Sequence, residues 1–446
     1  MLDTLSFTER DEFQRRNIAE NIIKLLKPEA DISPLVIDGA WGTGKTEFSI
    51  KLKNLIIEQE TESKVVYIDA FKGDHAESPL LLITSAIASI LPEEEKQHFI
   101  KRSLPAIRFG LKTVLKAGAG WFLRQEASEV AEEFQDAMKK ASNAAIDGTI
   151  ENLLEDHMDS EKNINSLKSC IESISKNQKI VIIIDELDRC KPSFSTNVIE
   201  TIKHIFDINN VFFILVTNTE QLKASINHIY GYSINSQKYL DKFIKYTITL
   251  PDTCLINGHN VCKASVIYWD YLVEKTRLLN KINRLSGYFI RDLIQRTNLS
   301  LRETQTFSRN LNIFQLLNDD ENKSSDPLIN MIFVVAAFIH CFGNKEKLKQ
   351  EITAESISYL ADLLNIKEIP YSYERRSQIP EISIVFFGII KDSITLNERF
   401  APKSDEELKK FTNVYTDYEH INFWSTTPRE LLIKYINQMS FIDRKS

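Results

Sequence analysis

The sequence predicts an α/β fold: a mainly parallel sheet carrying a phosphate-binding loop, a helical insertion between that loop and the acidic strand that completes the site, and a helical C-terminal domain. Three observations predict it. The stretch Gly39-Ala40-Trp41-Gly42-Thr43-Gly44-Lys45-Thr46 satisfies the spacing G-x-x-x-x-G-K-[ST]. It lies between an apolar run, Leu35-Val36-Ile37, and a segment where Phe48, Ile50, Leu52, Leu55 and Ile56 recur near helical spacing. Two further runs, residues 180–184 and 211–216, are continuously apolar, as strands buried on both faces are. Finally, 13 glycines and 12 prolines in 446 residues favour long helices over a turn-rich β architecture.

The residue types of the loop point to a polyphosphate. Its glycines let the backbone turn so that successive N–H groups face one concavity, and the helix opening at Lys45 adds its positive end to the same place. Lys45 is placed to reach the β- and γ-phosphates, and the Thr46 hydroxyl to ligate Mg²⁺. The expected nucleotide-binding set is Gly39, Ala40, Trp41, Gly42, Thr43, Gly44, Lys45, Thr46 and, in the first helical turn, Glu47.

Composition narrows the classes. A net charge of −7 and a pI near 5.8 leave no global basic field to draw the chain onto nucleic acid, so such a contact must be local. The five cysteines are odd in number and lack paired C-x-x-C spacing, which fits a reducing cytoplasm; Cys254, His259 and Cys262 lack a fourth ligand at zinc-finger spacing. The N-terminus has no basic region followed by an apolar core, so no secretory signal is expected. The apolar runs at 331–339 and 384–390 fall far short of the roughly 20 residues a bilayer span needs and read as buried elements.

In order along the chain, residues 8–27 predict an amphipathic helix entered at Thr8, with Asp11 at its start, and closed by Pro28. Residues 64–71 read as the second strand and 79–90 as a helix. Between 100 and 125 lie six basic residues (Lys101, Arg102, Arg108, Lys112, Lys116, Arg124) and no acid, with Arg108, Lys112 and Lys116 on one helical face. The stretch 126–155 is acidic and helical. Two helices packed by complementary charge, a membrane-surface helix and a nucleic-acid contact all fit this pair, and the sequence does not choose among them.

Residues 179–189, K-I-V-I-I-I-D-E-L-D-R, place a buried strand before acids at its carboxyl end, where ligands of open α/β sheets gather. Asp185 is the expected Mg²⁺ partner and Glu186 the group that orients or deprotonates an attacking water. The next strand ends in Thr217-Asn218-Thr219; Asn218 is the candidate γ-phosphate sensor, with a helix N-cap as its competing role. A last strand at 246–250 ends the sheet. Beyond 252 the chain reads as helical, and Thr427-Pro428-Arg429-Glu430 combines a capping box with an N1 proline. The expected division is 1–99 and 176–252 as the two parts of a nucleotide-binding domain, 100–175 as the helical insertion, 253–316 as a lid, and 325–446 as the C-terminal helical domain, after a polar linker at 318–326.

Four segments together resemble a known family: G-x-W-G-x-G-K-T around Trp41, Tyr67-Ile68-Asp69-Ala70-Phe71, Asp185-Glu186-Leu187-Asp188-Arg189, and Tyr239-Leu240-Asp241-Lys242-Phe243-Ile244. Over roughly residues 10–310 the chain resembles the KAP family of P-loop NTPases. The resemblance implies the additional-strand type of P-loop fold, related to STAND and AAA-type ATPases, with ATP and Mg²⁺ as ligands. Carried over, Lys45 and Thr46 bind phosphate and metal, Asp185 supports the metal, Glu186 is the catalytic acid, and Arg189 is a family-typical arginine of unassigned role. Members often have Asp where Glu186 stands, and a glutamate reaches further toward water. Many also insert transmembrane helices between the two motifs, whereas residues 100–125 carry too much charge to span a bilayer. Bacterial relatives often serve in defence against phage beside an effector, which implies that setting by analogy.

The expected activity is ATP hydrolysis that changes the protein's own assembly or switches a partner, as a homo-oligomer or with a protein effector. Arg189, Arg291 or Arg302 from a neighbouring copy would complete the site. Two other classes stand beside it: a module that holds ATP without turning it over, and an ATPase or clamp that acts on nucleic acid through the 101–124 segment.

Overall fold

Alternation along the strands decides how the sheet is buried. The computed structural model describes residues 4–74, 78–115, 152–176, 178–256, 260–317, 327–349, 352–373, 375–418 and 426–440, and the chain divides into two units, Met1–Pro251 and Asp252–Ser446. In the first unit, β1 (Leu35–Asp38), β2 (Lys64–Asp69), β3 (Ile180–Asp185), β4 (Val211–Thr217) and β5 (Tyr246–Thr249) form one parallel sheet in the order β2-β3-β4-β1-β5. β4 therefore lies between the strand that feeds the phosphate loop and the strand that ends in acids, the additional-strand arrangement.

Among the described residues the helices of five or more residues in this unit are α1 (Arg16–Leu25), α2 (Lys45–Gln59), α3 (Pro79–Ser89), α4 (Glu93–Leu115), α5 (Asn152–Ser175), α6 (Pro192–Ile205), α7 (Thr219–Tyr230) and the short α8 (Ser236–Leu240). Val181, Ile183, Phe212, Ile214 and Val216 face α1 and α2 through Ile22, Phe48 and Leu52. Their neighbours Ile180, Ile182, Ile184, Phe213 and Leu215 face the other way, onto Ile83, Ile87, Val198 and Ile202. A strand covered on both sides has no use for a polar alternate position, which is why β3 and β4 read as unbroken apolar runs.

Two expectations change here. The first helix begins at Arg16, not at Thr8. Asp11 makes the start from a distance, its carboxylate accepting the N–H groups of Arg15 at 2.8 Å and Arg16 at 3.0 Å. Residues before it are drawn onto α2 instead, where Lys51 Nζ donates to the Arg10 carbonyl at 2.7 Å and Phe7 packs edge-on against Phe48. Helical periodicity continued upstream because Phe13 is buried as a core-facing helical residue would be, although in a turn. In the insertion, α4 and α5 share a core through Phe99, Ile107, Leu167 and Ile171. The side chains of Arg108, Lys112, Lys116 and Arg124, most of the acidic 126–155 stretch, His259 and the 318–326 linker lie outside the described residues.

The second unit corrects the reading that everything past 252 is helical. It opens with an antiparallel hairpin, β6 (Thr253–Ile256) and β7 (Asn260–Lys263), in which Cys254 stands opposite Cys262. Neither Thr-Cys-Leu-Ile nor Asn-Val-Cys-Lys alternates apolar with polar residues, so no period-2 signal registers. Then come α9 (Ala264–Lys275), α10 (Arg277–Arg296), α11 (Leu301–Leu317), α12 (Pro327–Phe342), α13 (Ala354–Leu363), α14 (Glu381–Ile390), α15 (Asp405–Tyr418) and α16 (Pro428–Met439). One hydrophobic cluster runs from Val266 to Met439, so the segments 253–316 and 325–446 share a core. α16 starts with the capping box its sequence announces: Thr427 Oγ1 accepts the Glu430 N–H, and Glu430 Oε2 accepts the Thr427 N–H at 2.7 Å. Among the described residues no helix is long and apolar enough to cross a membrane.

Packing around α14 yields a stability prediction. A Cβ at Gly388 would come within 2.5 Å of Tyr415 Cε2, on a ring that is itself buried among neighbours. Gly388→Ala is expected to destabilise the second unit by about 1–3 kcal/mol through overpacking. An unchanged thermal midpoint would show that this helix pair relaxes freely.

Candidate nucleotide site

The register brings four strand ends level. Asp38 pairs with Thr217, Asp69 with Asp185, and Asp185 with Val216, so the loops leaving β1 to β4 open on one side of the sheet. The loop after β1 turns through Gly42 (φ 77°) and Gly44 (φ 83°), the latter serving as the N-cap of α2. Such left-handed backbone is open to glycine at no steric cost, so both positions carry the residue their geometry requires.

Within the loop, Lys45 curls back so that its Nζ donates to the carbonyls of Gly39 at 2.5 Å and Ala40 at 3.1 Å. It is 9% exposed, and burial lowers its pKa, opposed in turn by the charges of Asp188, Asp185, Asp38 and Glu186. Thr43 is held from the other side. Its carbonyl accepts Arg15 Nη1 at 2.8 Å, while Arg15 Nη2 donates at 2.8 Å to the Pro251 carbonyl.

The acids of β3 meet this loop. Thr46 Oγ1 donates to Glu186 Oε1 at 3.3 Å. Asp185, 1% exposed, accepts the Tyr67 hydroxyl at 2.7 Å on one oxygen and the Glu186 N–H at 2.7 Å on the other. Burial raises the Asp185 carboxyl above the usual aspartate range, while Tyr67, the Glu186 amide, Thr46 and Lys45 pull it back. Burial and the neighbouring Asp185 likewise raise Glu186, with Arg189 opposing. Tyr67 in turn is pushed well above the ordinary tyrosine range by burial and by Asp185.

Glu186 adopts left-handed backbone (φ 61°), rare for a side chain this long. The kink turns the following 3₁₀ turn, Leu187–Arg189, so that Leu187 enters the core, Asp188 faces the loop, and Arg189 folds back to ion-pair with Glu186. Asp188 Oδ2 accepts the Trp41 indole N–H at 2.5 Å and its Oδ1 accepts the Thr217 hydroxyl at 3.3 Å. The thiol of Cys190, just after the turn, is pushed up to about 12 by burial among acids.

The remaining sequence candidates are placed as follows. Asn218 caps α7, its Oδ1 accepting the Glu220 N–H at 3.1 Å. Glu47 turns its carboxylate to Lys51 at 2.7 Å and Arg10 at 3.4 Å. That keeps its negative charge out of the loop's cup. In the second unit Arg291 is ion-paired with Asp270 at 2.7 Å, and Arg302 is exposed at the start of α11. The Tyr239 block docks α8: the Tyr239 hydroxyl and Tyr230 both bond Glu200 on α6. Sequence reading missed Asp188, Tyr67, Thr217 and Arg15. The first three lie inside segments that the sequence singles out for other residues. Arg15 gives no local signal, because its partners lie 28 and 236 residues away.

Comparisons with known proteins give the chain's relatives. The phage T7 exclusion protein of Escherichia coli (strain K12) is 25% identical over 259 residues, an alignment covering 54% of this chain and 33% of that protein. This chain thus spans about a third of that relative's length. The ADPNP-ADP structure of the Aeropyrum pernix ORC2 protein overlaps 96% of this chain and 94% of its own at 11% identity and a TM-score of 0.34; the fold assignment rests on the strand order above. The model of the KAP family P-loop domain matches residues 15–318, more than half of the chain. Phosphate loop, intervening strand and acidic strand end stand together within that span, and the chain belongs to the KAP family of P-loop NTPases.

Proposed function

We propose that this protein is a Mg²⁺-dependent ATPase whose nucleotide state changes its own assembly or switches a partner protein, in defence against phage. The observation that carries the enzymatic part is the 3.3 Å contact between Thr46 and Glu186, which brings a loop built for phosphate and an acid built for water to one point. The defence setting is supported by likeness to the T7 exclusion protein, of which the chain spans a third.

The residues fit both a nucleoside triphosphate and a divalent cation. A buried ammonium resting on backbone carbonyls is a donor that phosphate oxygens can take over. Burial lifts both Asp185 and Glu186 above their usual range, and the charge of Asp185 lifts Glu186 further, a situation a cation relieves. Among the described residues no cluster of three His, Cys, Asp or Glu forms a cage. That suits Mg²⁺, which keeps waters and takes phosphate oxygens beside one or two protein ligands, here Thr46 and Asp185. When bound, the metal supplies charge neutralisation at the transferring phosphoryl group.

The chain's own residues do the rest. The loop amides and Lys45 hold the phosphates, Tyr67 fixes Asp185, and Glu186 orients water and takes its proton. Arg189 holds Glu186 in this geometry, which favours a low basal rate that rises when a partner releases the pair. The rival reading of a non-hydrolysing module is separated by steady-state phosphate release with and without partner: no release under either condition rejects the ATPase. Mass measurement with ADP and with a non-hydrolysable ATP analogue tests control of assembly.

The raised Glu186 carboxyl gives a pH prediction. A base with an elevated pKa is protonated at pH values where an exposed glutamate is not. kcat/KM should therefore be full above the raised value and decline as pH falls through it. A profile flat down to the ordinary glutamate range would move the base elsewhere.

A further inference from the structure

The DELDR turn contains an acid that the proposed chemistry leaves unused. Asp188 neither faces Thr46 nor pairs with Arg189; its carboxylate spans two other elements, the Trp41 indole N–H at 2.5 Å and the Thr217 hydroxyl at 3.3 Å. Thr217 is fully buried at the end of β4, whereas Trp41 is 51% exposed in the loop. One end of this link is therefore anchored in the sheet and the other in the most pliable part of the site.

That pliability has a specific location. Gly42 and Gly44 both occupy left-handed backbone, and a chain passing through two glycines has more conformations to lose when it closes on a ligand. The structure pins the loop on both sides of Gly42: Trp41 is held by Asp188, and Thr43 by Arg15. Arg15 is itself 3% exposed and fixed to Pro251, so the second pin is as firmly rooted as the first. A bond from an indole N–H to a carboxylate is charge-assisted, which makes it worth more than a neutral pair.

We propose that Asp188 is a positioning residue that tethers the phosphate loop through Trp41 and so holds its amides ready for a nucleoside triphosphate before the ligand arrives. This deepens the nucleotide-site reading and rests on it. Preorganisation of this kind raises affinity by removing ordering that would otherwise be lost on binding.

A double-mutant cycle on the full chain tests the tether, with ATP affinity measured calorimetrically in Mg²⁺ and thermal midpoints taken for every variant. Trp41→Phe keeps a ring and removes the N–H; Asp188→Ala removes the acceptor; Asp188→Asn keeps an acceptor oxygen. Trp41→Phe and Asp188→Ala are each expected to weaken binding about tenfold. The double variant should be no worse than the weaker single, because both remove one bond, and Asp188→Asn should lie nearer the parent than Asp188→Ala. Independent effects that multiply to about a hundredfold in the double variant, or no effect of Trp41→Phe, overturn the tether. Should Asp188→Ala fail to fold, Trp41→Phe against Asp188→Asn decides: the first must weaken binding more than the second. Lys45→Ala separates the two levels. If it binds ATP normally, the nucleotide site is misplaced; if it loses binding while the cycle is additive, only the tether fails.

Discussion

Replacing Lys45 by Ala is expected to weaken ATP binding by roughly 2–4 kcal/mol, about thirty- to a thousandfold, the range for losing charge-assisted hydrogen bonds in a buried cup. The effect should be one of recognition, not of folding. In the empty protein the ammonium rests on the Gly39 and Ala40 carbonyls, and burial works against its charge. Deleting it removes an unfavourably buried charge and two backbone contacts together, so the thermal midpoint without nucleotide should move little. Affinity unchanged by the substitution would reject the whole assignment of the loop.

Replacing Glu186 by Gln is expected to leave ATP binding intact and to lower turnover about 10²- to 10⁴-fold, the usual worth of a positioned general base. Glutamine keeps the shape and an acceptor for the Thr46 hydroxyl, but it cannot take a proton. It also removes one of two adjoining charges that burial disfavours, so stability should hold or rise. The comparison with Lys45→Ala is informative as a pair: one variant should fail in affinity, the other in rate. A Glu186→Gln protein that turns over normally would shift the base to another group, and the left-handed backbone at 186 would then have to be explained by the turn alone.

Much of the site was legible because its chemistry is local in sequence. A phosphate loop needs glycines at fixed offsets, and the acids must end a buried strand, so both patterns survive as short strings. The central strands were legible for a related reason: burial on both faces strips polar residues from β3 and β4. The errors have physical causes of the same kind. Phe13 stands in helical register with Ile18, Ile22 and Ile23, yet Asp11 captured the amides of Arg15 and Arg16 and set the helix start late. The β6–β7 hairpin escaped because neither of its strands alternates apolar with polar residues. Asn218 illustrates a tie the sequence leaves open: an amide at a strand end suits a sensor and an N-cap equally, and here it accepts the Glu220 N–H.

By itself the sequence determined the strand that delivers the loop, the loop's residues, the acidic end of the distant strand and the family they belong to. The strand, the loop and the acidic end are each written within fewer than a dozen consecutive residues, where covalent spacing dictates geometry, and the family shows in four such short segments taken together. Only the tertiary structure decided which partners those residues keep: Trp41 with Asp188, Tyr67 with Asp185, Thr46 with Glu186, and Arg15 with both Thr43 and Pro251. These pairs join segments that are 28 to 236 residues apart. They exist because strand order, set by burial of two apolar sheet faces, stacks the carboxyl ends of β1 to β4 side by side.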